Sequence, residues 1–245
     1  MQILYQHVGE DRHEICVPDA SERVVDRLRW GNASHLFTPA FWAARARAHE
    51  LFGTYGNCQT GKSLAEEYGH CILGGYGMPA EVGWAACERL CQAGVFEEVP
   101  GQSEIEALLL QPLQIGDRRV RYRFPKRKAA QIAAGLPYVL SLSEDSLSDL
   151  ELRAALLKLP GLGPKTSSWI VRNYRASDDV AIIDIHIARA GWAAGVFSKV
   201  QNPARDYFEM ERLFLRFSRA LQVRPSVLDH LIWNEMRQIG WLLDK

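Results

Sequence analysis

Two stretches of this chain carry residue types at spacings that could do chemistry around phosphate. The first is Gly-Asn-Cys-Gln-Thr-Gly-Lys-Ser at 56–63, which fits G-x-x-x-x-G-K-[ST] letter for letter. In that pattern backbone N–H groups cradle a nucleotide's phosphates, the lysine reaches the terminal ones and the hydroxyl meets magnesium. Val-Ala-Ile-Ile-Asp at 180–184 could supply the apolar strand that ends in a magnesium-binding aspartate. The second is Leu-Pro-Gly-Leu-Gly-Pro-Lys at 159–165. Its glycines, Gly161 and Gly163, let the backbone approach a ligand closely, and Gly163 can cap a following helix with Pro164 at its first position. The exposed N–H groups of such a helix start bind an anion, which in a helix-hairpin-helix turn is a DNA phosphate. Lys165 then stands in the first turn of that helix, and Asp184 follows nineteen residues on. Each of the two also has a plain use: Lys165 as a phosphate contact, Asp184 as an N-cap.

The elements that must position these residues decide between the two stretches. A nucleotide-binding loop needs a buried strand leading in and a helix leading out. Before Gly56 stand Ala-Ala-Arg-Ala-Arg-Ala-His-Glu-Leu-Phe-Gly-Thr-Tyr, charged, helical in pattern and without a β-branched run. The loop therefore reads as a surface turn at Gly56-Asn57 that leads into a helix near Ser63, with Lys62 at most a DNA backbone contact. Elsewhere apolar residues recur at helical spacing between Pro and Gly punctuation. The pattern predicts helices over 21–30, with Ser21 as the cap, 41–52, 63–73, 80–93, 104–110, 126–134 and 151–159. Further helices follow from the Pro-Gly-Leu-Gly turn to about Tyr174, from Asp184 to Ala194, over 204–220 and 226–236, and in a short last piece to Lys245. One extended piece is expected at 120–124. There is no βαβ alternation and no fixed repeat, so the fold class is all-α, with about a dozen helices and short loops.

The bulk numbers set the background. The 245 residues suit one large domain or two small ones. They are 47% apolar and 24% charged, an ordinary globular balance. The net charge of zero alone speaks against nucleic acid, yet Arg-Arg-Val-Arg-Tyr-Arg-Phe-Pro-Lys-Arg-Lys at 118–128 holds seven basic residues and no acid. With Tyr122 and Phe124 interleaved, that run suits a surface that tracks a nucleic-acid backbone, or a solvated face. The five cysteines are odd in number and form no C-x-x-C pair, which reads as reduced thiols rather than a metal site or disulfide frame. Cys87 and Cys91, at i and i+4, read as core. The N-terminal stretch has no apolar h-region, and Asp184, His186 and Arg189 interrupt the most apolar window, 181–197, so no membrane span is expected. The placement these features imply is cytoplasmic.

The hairpin with Lys165 and Asp184 at this spacing resembles the helix-hairpin-helix DNA glycosylases. Within them the chain is most similar to the lysine-dependent 8-oxoguanine DNA glycosylase/lyases of the short second family. Residues 67–90, 120–132 and 228–245 match three further stretches of that family, so the resemblance covers 63–245. It implies two helical subdomains with an active-site cleft between them, a glycosylase domain over 51–245 with its hairpin at 151–175, and C-terminal helices over 204–245 that complete a base pocket. Residues 1–50 match nothing in the family and read as an extension packed on that domain. It implies Lys165 as the nucleophile and Asp184 as its catalytic partner. DNA contacts fall to Gly161, Gly163, Thr166, His186, Lys126 and Arg127, with Tyr76 filling the hole left by a flipped base. Relatives place a polar residue at that last position. Trp233 and Lys245 correspond to the family's base-recognition pair, and Trp169 is placed to line the base pocket, with core packing the alternative for Trp169. The partner implied is double-stranded DNA with a damaged or flipped base, bound by a monomer. No cofactor is implied beyond a monovalent cation at the hairpin. Two alternatives stay open: a glycosidase of the same fold acting on another nucleobase, for instance in bacterial phage defence, and a non-catalytic DNA-binding module that keeps the hairpin only.

Overall fold

The computed structural model describes all residues except 54–59, 61, 76 and 245. In chain order the elements are strands β1 (Gln2–Val8), β2 (Asp11–Val17), β3 (Arg23–Val25) and β4 (Leu28–Arg29), then helices α1 (Pro39–Leu51), α2 (Leu64–Leu73), α3 (Ala80–Gln92), α4 (Val95–Glu98) and α5 (Gln102–Leu110). Strands β5 (Leu113–Ile115) and β6 (Arg118–Val120) precede helices α6 (Pro125–Ser141), α7 (Asp149–Leu156), α8 (Pro164–Arg175), α9 (Ile185–Ala194), α10 (Pro203–Ala220) and α11 (Pro225–Ile239). The six strands form three separate two-stranded antiparallel sheets, and among the described residues there is no parallel sheet. The fold is all-α in class. Among the described residues no helix is long and apolar enough to cross a membrane. The chain divides into two compact units, Met1–Cys58 with Ala176–Lys245, and Gln59–Arg175.

The first unit is built on one apolar core. Trp42 of α1, Ala188 of α9, Met210 and Phe214 of α10, and Leu228 and Leu231 of α11 are all buried in it. Thr38 starts α1 by accepting the Phe41 N–H at 3.1 Å, with Pro39 at the first helical position. Strands β1 and β2 pair in register from Gln2 opposite Val17 to Val8 opposite Asp11, around a Gly9-Glu10 turn in which Gly9 has φ +62°. Period-2 alternation sends Ile15 and Val17 into the core and leaves Ile3 and Tyr5 outside, with the Arg12 guanidinium 4.2 Å above the Tyr5 ring. The Gln2 amide ties this hairpin to the chain that follows, donating to the Pro18 and Gly31 carbonyls and accepting from the Ala33 N–H.

The helix expected over 21–30 is not formed; the short β3–β4 hairpin occupies those residues. The Ser21 hydroxyl bonds Asp19 at 2.7 Å rather than an amide of a first turn. Asp26 is left-handed, φ 50°, which no α-helix accommodates. The β-branched pair Val24-Val25 favours the extended alternative.

The second unit is assembled around α2. The Ser63–Glu66 capping box opens this helix, with the Glu66 N–H on Ser63 Oγ at 3.2 Å and the Ser63 N–H on Glu66 Oε2 at 2.8 Å. Tyr68, Ile72 and Leu73 of α2, Leu90 of α3, Ile132 and Leu136 of α6, Leu156 of α7 and Ile170 of α8 fill the interior. Helix α6 runs to Ser141, past the expected end at 134, with Pro137 inside it. Proline costs that helix one hydrogen bond, and burial of Leu136 and Val139 on either side continues the apolar face. The extended piece expected at 120–124 is displaced, since pairing covers 118–120 only. Tyr122 does not serve the surface; it is buried and donates to the Leu73 carbonyl at 2.6 Å.

Candidate active site

The hairpin of the second unit is built by α7 and α8. Ser148 and Glu151 cap α7 reciprocally. After Leu156 the chain tightens through Leu159 N–H to the Leu156 carbonyl and Leu162 N–H to the Leu159 carbonyl. Gly161 has φ +83°, a conformation that L side chains rarely adopt, so this position requires glycine. Pro164 opens α8, and the first bond of its ladder is Ser167 N–H to the Gly163 carbonyl at 3.0 Å. The amides of Gly163, Lys165 and Thr166 precede that ladder, as the orphan donors of a helix start do. Lys165 is half-buried and makes no ion pair with a described residue. The far end of α8 is fastened by Arg175 to Asp149 at 2.9 Å and by Tyr174 to Glu144 at 2.6 Å.

Glu67, fully buried on α2, anchors the last turn of α8. Its Oε1 accepts from Asn173 Nδ2 at 2.6 Å and from the Cys71 thiol, and its Oε2 from Thr60 Oγ1 at 2.7 Å. Burial, with the Glu67 charge beside it, pushes the Cys71 thiol far up, so this cysteine is inert packing. Trp169, one turn beyond Lys165, is half-buried. Its ring meets His70 edge-on at 5.8 Å, and a side chain at Gly74 would come within 3.2 Å of it. Burial also holds His70 below the usual histidine range, a neutral ring beside the tryptophan. Tyr76 lies outside the described residues.

Beside the hairpin a cavity is lined by Gly74, Phe124, Arg127, Lys128, Gly161 and Thr166, among others. The Phe124 ring lies under two guanidinium groups, Arg127 at 4.5 Å and Arg123 at 5.0 Å, which sets both charges in place. Thr166 and Arg127, two of the expected DNA contacts, thus share one cavity, while Lys126 stands exposed on the first turn of α6. Lys128, part of the basic run at 118–128 but not singled out within it, lines the same cavity. It is half-buried, and burial together with the Arg127 charge holds its ammonium below the ordinary lysine range. The signal was available: Phe124, Arg127 and Lys128 fall at i, i+3 and i+4, one face of a helix. Lys128→Ala is expected to weaken duplex binding whatever the sequence and to reduce the slope of log affinity against log salt by about one, read by fluorescence anisotropy over a salt series.

Asp184 belongs to the first unit. It is 8% exposed and caps α9, its Oδ1 accepting the His186 N–H at 2.8 Å and the Ile187 N–H at 2.9 Å. The capping role is therefore real, and it uses one carboxylate oxygen. His186 is half-buried, and its ring Nδ1 has no hydrogen-bond partner among the described residues. Trp233, on α11, is half-buried, with Arg237 stacked 4.6 Å over its ring and His230 at 6.4 Å. Lys245 lies outside the described residues.

Residues 56–59 and 61 of the Gly-Asn-Cys-Gln-Thr-Gly-Lys-Ser stretch, with the turn expected at Gly56-Asn57, lie outside the described residues. Among the described residues the element before it is helix α1 rather than a strand, and the Ser63 hydroxyl is occupied in capping α2. The Lys62 charge acts on Glu66, His70, Cys87 and Cys91. Lys62→Ala is expected to change duplex affinity less than about threefold, the weight of one partly solvated surface charge, and ATP turnover should be undetectable in wild type and variant alike. Among the described residues no group of His, Cys, Asp or Glu side chains could hold a metal ion.

The sequence profile of the family described as 8-oxoguanine DNA glycosylase matches residues 45–223. An 8-oxoguanine DNA glycosylase/AP lyase of Metallosphaera sedula is 35% identical over 116 residues, 46% of this chain and 57% of that relative. The chain thus spans little more than half the length of that curated relative. Among solved structures, the 8-oxoguanine glycosylase/lyase of Methanocaldococcus jannaschii, in complex with a 15mer DNA containing 8-oxoguanine, is similar with a TM-score of 0.57 and 24% identity, covering 82% of this chain and 90% of that one. The 8-oxoguanine DNA glycosylase of Thermotoga maritima gives 0.57 and 22%, covering 80% and 89%. These two likenesses carry the fold. With the profile matched across the hairpin, Lys165 and Asp184, the chain belongs to the 8-oxoguanine DNA glycosylase family.

Proposed function

We propose that this protein is a DNA glycosylase with AP lyase activity that excises 8-oxoguanine from duplex DNA through a Schiff base on Lys165. The observation that carries the reading is a lysine in the first turn of the hairpin's second helix, free of ion pairs with described residues, in a chain whose family profile spans both it and Asp184. In this reading the amine attacks C1′ of the flipped nucleotide and the C1′–N9 bond breaks, the base leaving with the electron pair and taking up a proton. The sugar ring opens to a C1′=N imine on Lys165. Loss of a C2′ proton then expels the 3′ phosphate, and water releases the shortened strand.

The amine must shed its proton to attack. Bringing a lysine from about 10.4 to near 7 takes about 4–5 kcal/mol. A helix N-terminus disfavours a cation by only about 0.3–1 kcal/mol. Desolvation around the flipped base, or proton transfer to Asp184 during the reaction, has to supply the rest. The Asp184 carboxylate also stabilises the positive charge that grows on the sugar. Gly161, Gly163, Thr166, Lys126, Arg127 and His186 hold the DNA backbone in this scheme, Tyr76 fills the emptied stack, and Trp169, Trp233 and Lys245 receive the base. The amine supplies the nucleophile, so no cofactor enters. A single chain suffices, working on chromosomal DNA in the cytoplasm. The test is a labelled duplex with one 8-oxoguanine, incubated with wild-type protein with and without borohydride. Base release and a trapped covalent adduct are expected. Neither appearing on the lesion duplex would refute the reading.

One observation favours a second reading. The family profile begins at residue 45, and the β1–β2 hairpin and the loops up to α1 lie outside it. A base other than 8-oxoguanine is then the alternative, and an incision panel over modified and normal bases separates the two. A non-catalytic binder would instead show a steep salt slope with no base release from any substrate.

A further inference from the structure

The segment that carries Asp184 into place is buried and outside any sheet, and it turns tightly where the Asp184 N–H donates to the Ile182 carbonyl at 2.9 Å. Val180, Ala181 and Ile183 are at most 1% exposed and Ile182 is 9% exposed, yet they belong to no strand ladder. Buried backbone N–H groups need partners. Here three consecutive amides are met by three side chains from the helices packed against them. The Ala181 N–H reaches Glu211 Oε1 at 3.0 Å, the Ile182 N–H reaches Asp229 Oδ2 at 3.3 Å, and the Ile183 N–H reaches the Tyr207 hydroxyl at 3.4 Å. The same Tyr207 hydroxyl donates to the Ala181 carbonyl at 2.8 Å. Tyr207 and Glu211 are one turn apart on α10, and Asp229 lies on α11.

Glu211 is 4% exposed and Asp229 2%. Carboxylates almost never sit that deep without a specific task, because removing them from water is costly. Their task here is that of an absent neighbouring strand. They accept from the peptide just as a ladder would, and they fix its path up to the N-cap residue. Asp184 then has its Oδ1 committed to the α9 amides, so the direction of its remaining oxygen follows from the path of residues 181–183.

We propose that Glu211, Asp229 and Tyr207 are positioning residues for Asp184, acting through the backbone of 181–183. This rests on the proposed role of Asp184 in base excision. Nothing in it requires the three side chains to touch DNA. A displacement of about 1 Å at a reacting group is worth on the order of 100-fold in rate, so loss of one strut is expected to slow the chemical step while leaving the DNA-binding surface intact.

The experiment has two arms. In the first, amide exchange is followed by NMR without DNA. Glu211→Ala should speed exchange at Ala181 and at the His186 and Ile187 amides held by Asp184, about tenfold or more, whereas Glu211→Gln, which keeps an acceptor oxygen, should not. In the second, single-turnover base release and duplex Kd are measured for Glu211→Ala, Glu211→Gln, Tyr207→Phe and Asp184→Asn. Glu211→Ala is expected to lose about 10–100-fold in rate with Kd within about threefold, and Glu211→Gln to recover most of it. Added to Asp184→Asn, Glu211→Ala should cost less than about a further twofold, since both act on one group. Tyr207→Phe, a smaller change, guards against a Glu211→Ala protein that fails to fold and should slow base release in the same sense. Unchanged exchange at His186 and Ile187 overturns the proposal, as does a Glu211→Ala loss that adds in full to Asp184→Asn. A wild type that releases no base refutes the glycosylase reading instead, and the exchange arm still decides whether the struts hold Asp184.

Discussion

Lys165→Gln is expected to abolish the borohydride-trapped adduct and to lower base release by about 10⁴-fold or more, the scale seen when a covalent nucleophile is removed. Lys165→Arg should be as inactive. Arginine keeps the positive charge for a phosphate but cannot be deprotonated, so it separates the two uses of this position. If Lys165 only touches the DNA backbone, the arginine variant retains base release and the nucleophile assignment falls. Folding should be indifferent to either change. The side chain is half-buried and without an ion pair to a described residue, and surface substitutions away from such features stay within about 0.5 kcal/mol. Duplex Kd and thermal midpoint, measured beside the single-turnover rate, make the comparison complete.

Asp184→Asn is the second large effect. Asparagine caps a helix about as well as aspartate, so the bonds to the His186 and Ile187 amides survive and the thermal midpoint should scarcely move. The lost quantity is the negative charge. Base release is then expected to fall about 10²–10³-fold, the usual weight of one group aimed at developing charge. Asp184→Ala removes cap and charge together, adding about 1 kcal/mol of lost stability to the same loss of rate. A variant Asp184→Asn with the wild-type rate would reduce the residue to its cap.

Much of the hairpin was legible in the chain because its rules are local. Pro-Gly-Leu-Gly-Pro admits few backbone paths, and Gly161 and Pro164 take up the left-handed turn and the first helical position that their chemistry favours. Ser63 with Glu66, and Asp184 before Ile185, likewise mark helix starts through bonds spanning two or three residues. The misreading at 21–30 came from the same local method. Apolar spacing there admits a helix, and the choice went to the β3–β4 hairpin with Asp26 left-handed and Ser21 engaged by Asp19. Tyr122 shows the other failure. An aromatic in a basic run reads as surface, and only packing reveals a buried hydroxyl on the Leu73 carbonyl.

By itself the sequence determined the all-α class, the hairpin, the family resemblance, and Lys165 and Asp184 as the residues to test. These follow from spacing, capping and turn chemistry, in which each residue's partners lie a few positions away. Only the tertiary structure decided that Lys128 shares a cavity with Arg127 and Thr166, that Phe124 lies beneath two guanidinium groups, and that Glu211, Asp229 and Tyr207 stand in for a missing strand beside residues 181–183. A carboxylate 30 or 47 residues away leaves no periodic mark. Its placement is set by which helices pack together, and that is settled by burial of the whole apolar core rather than by any short stretch of chain.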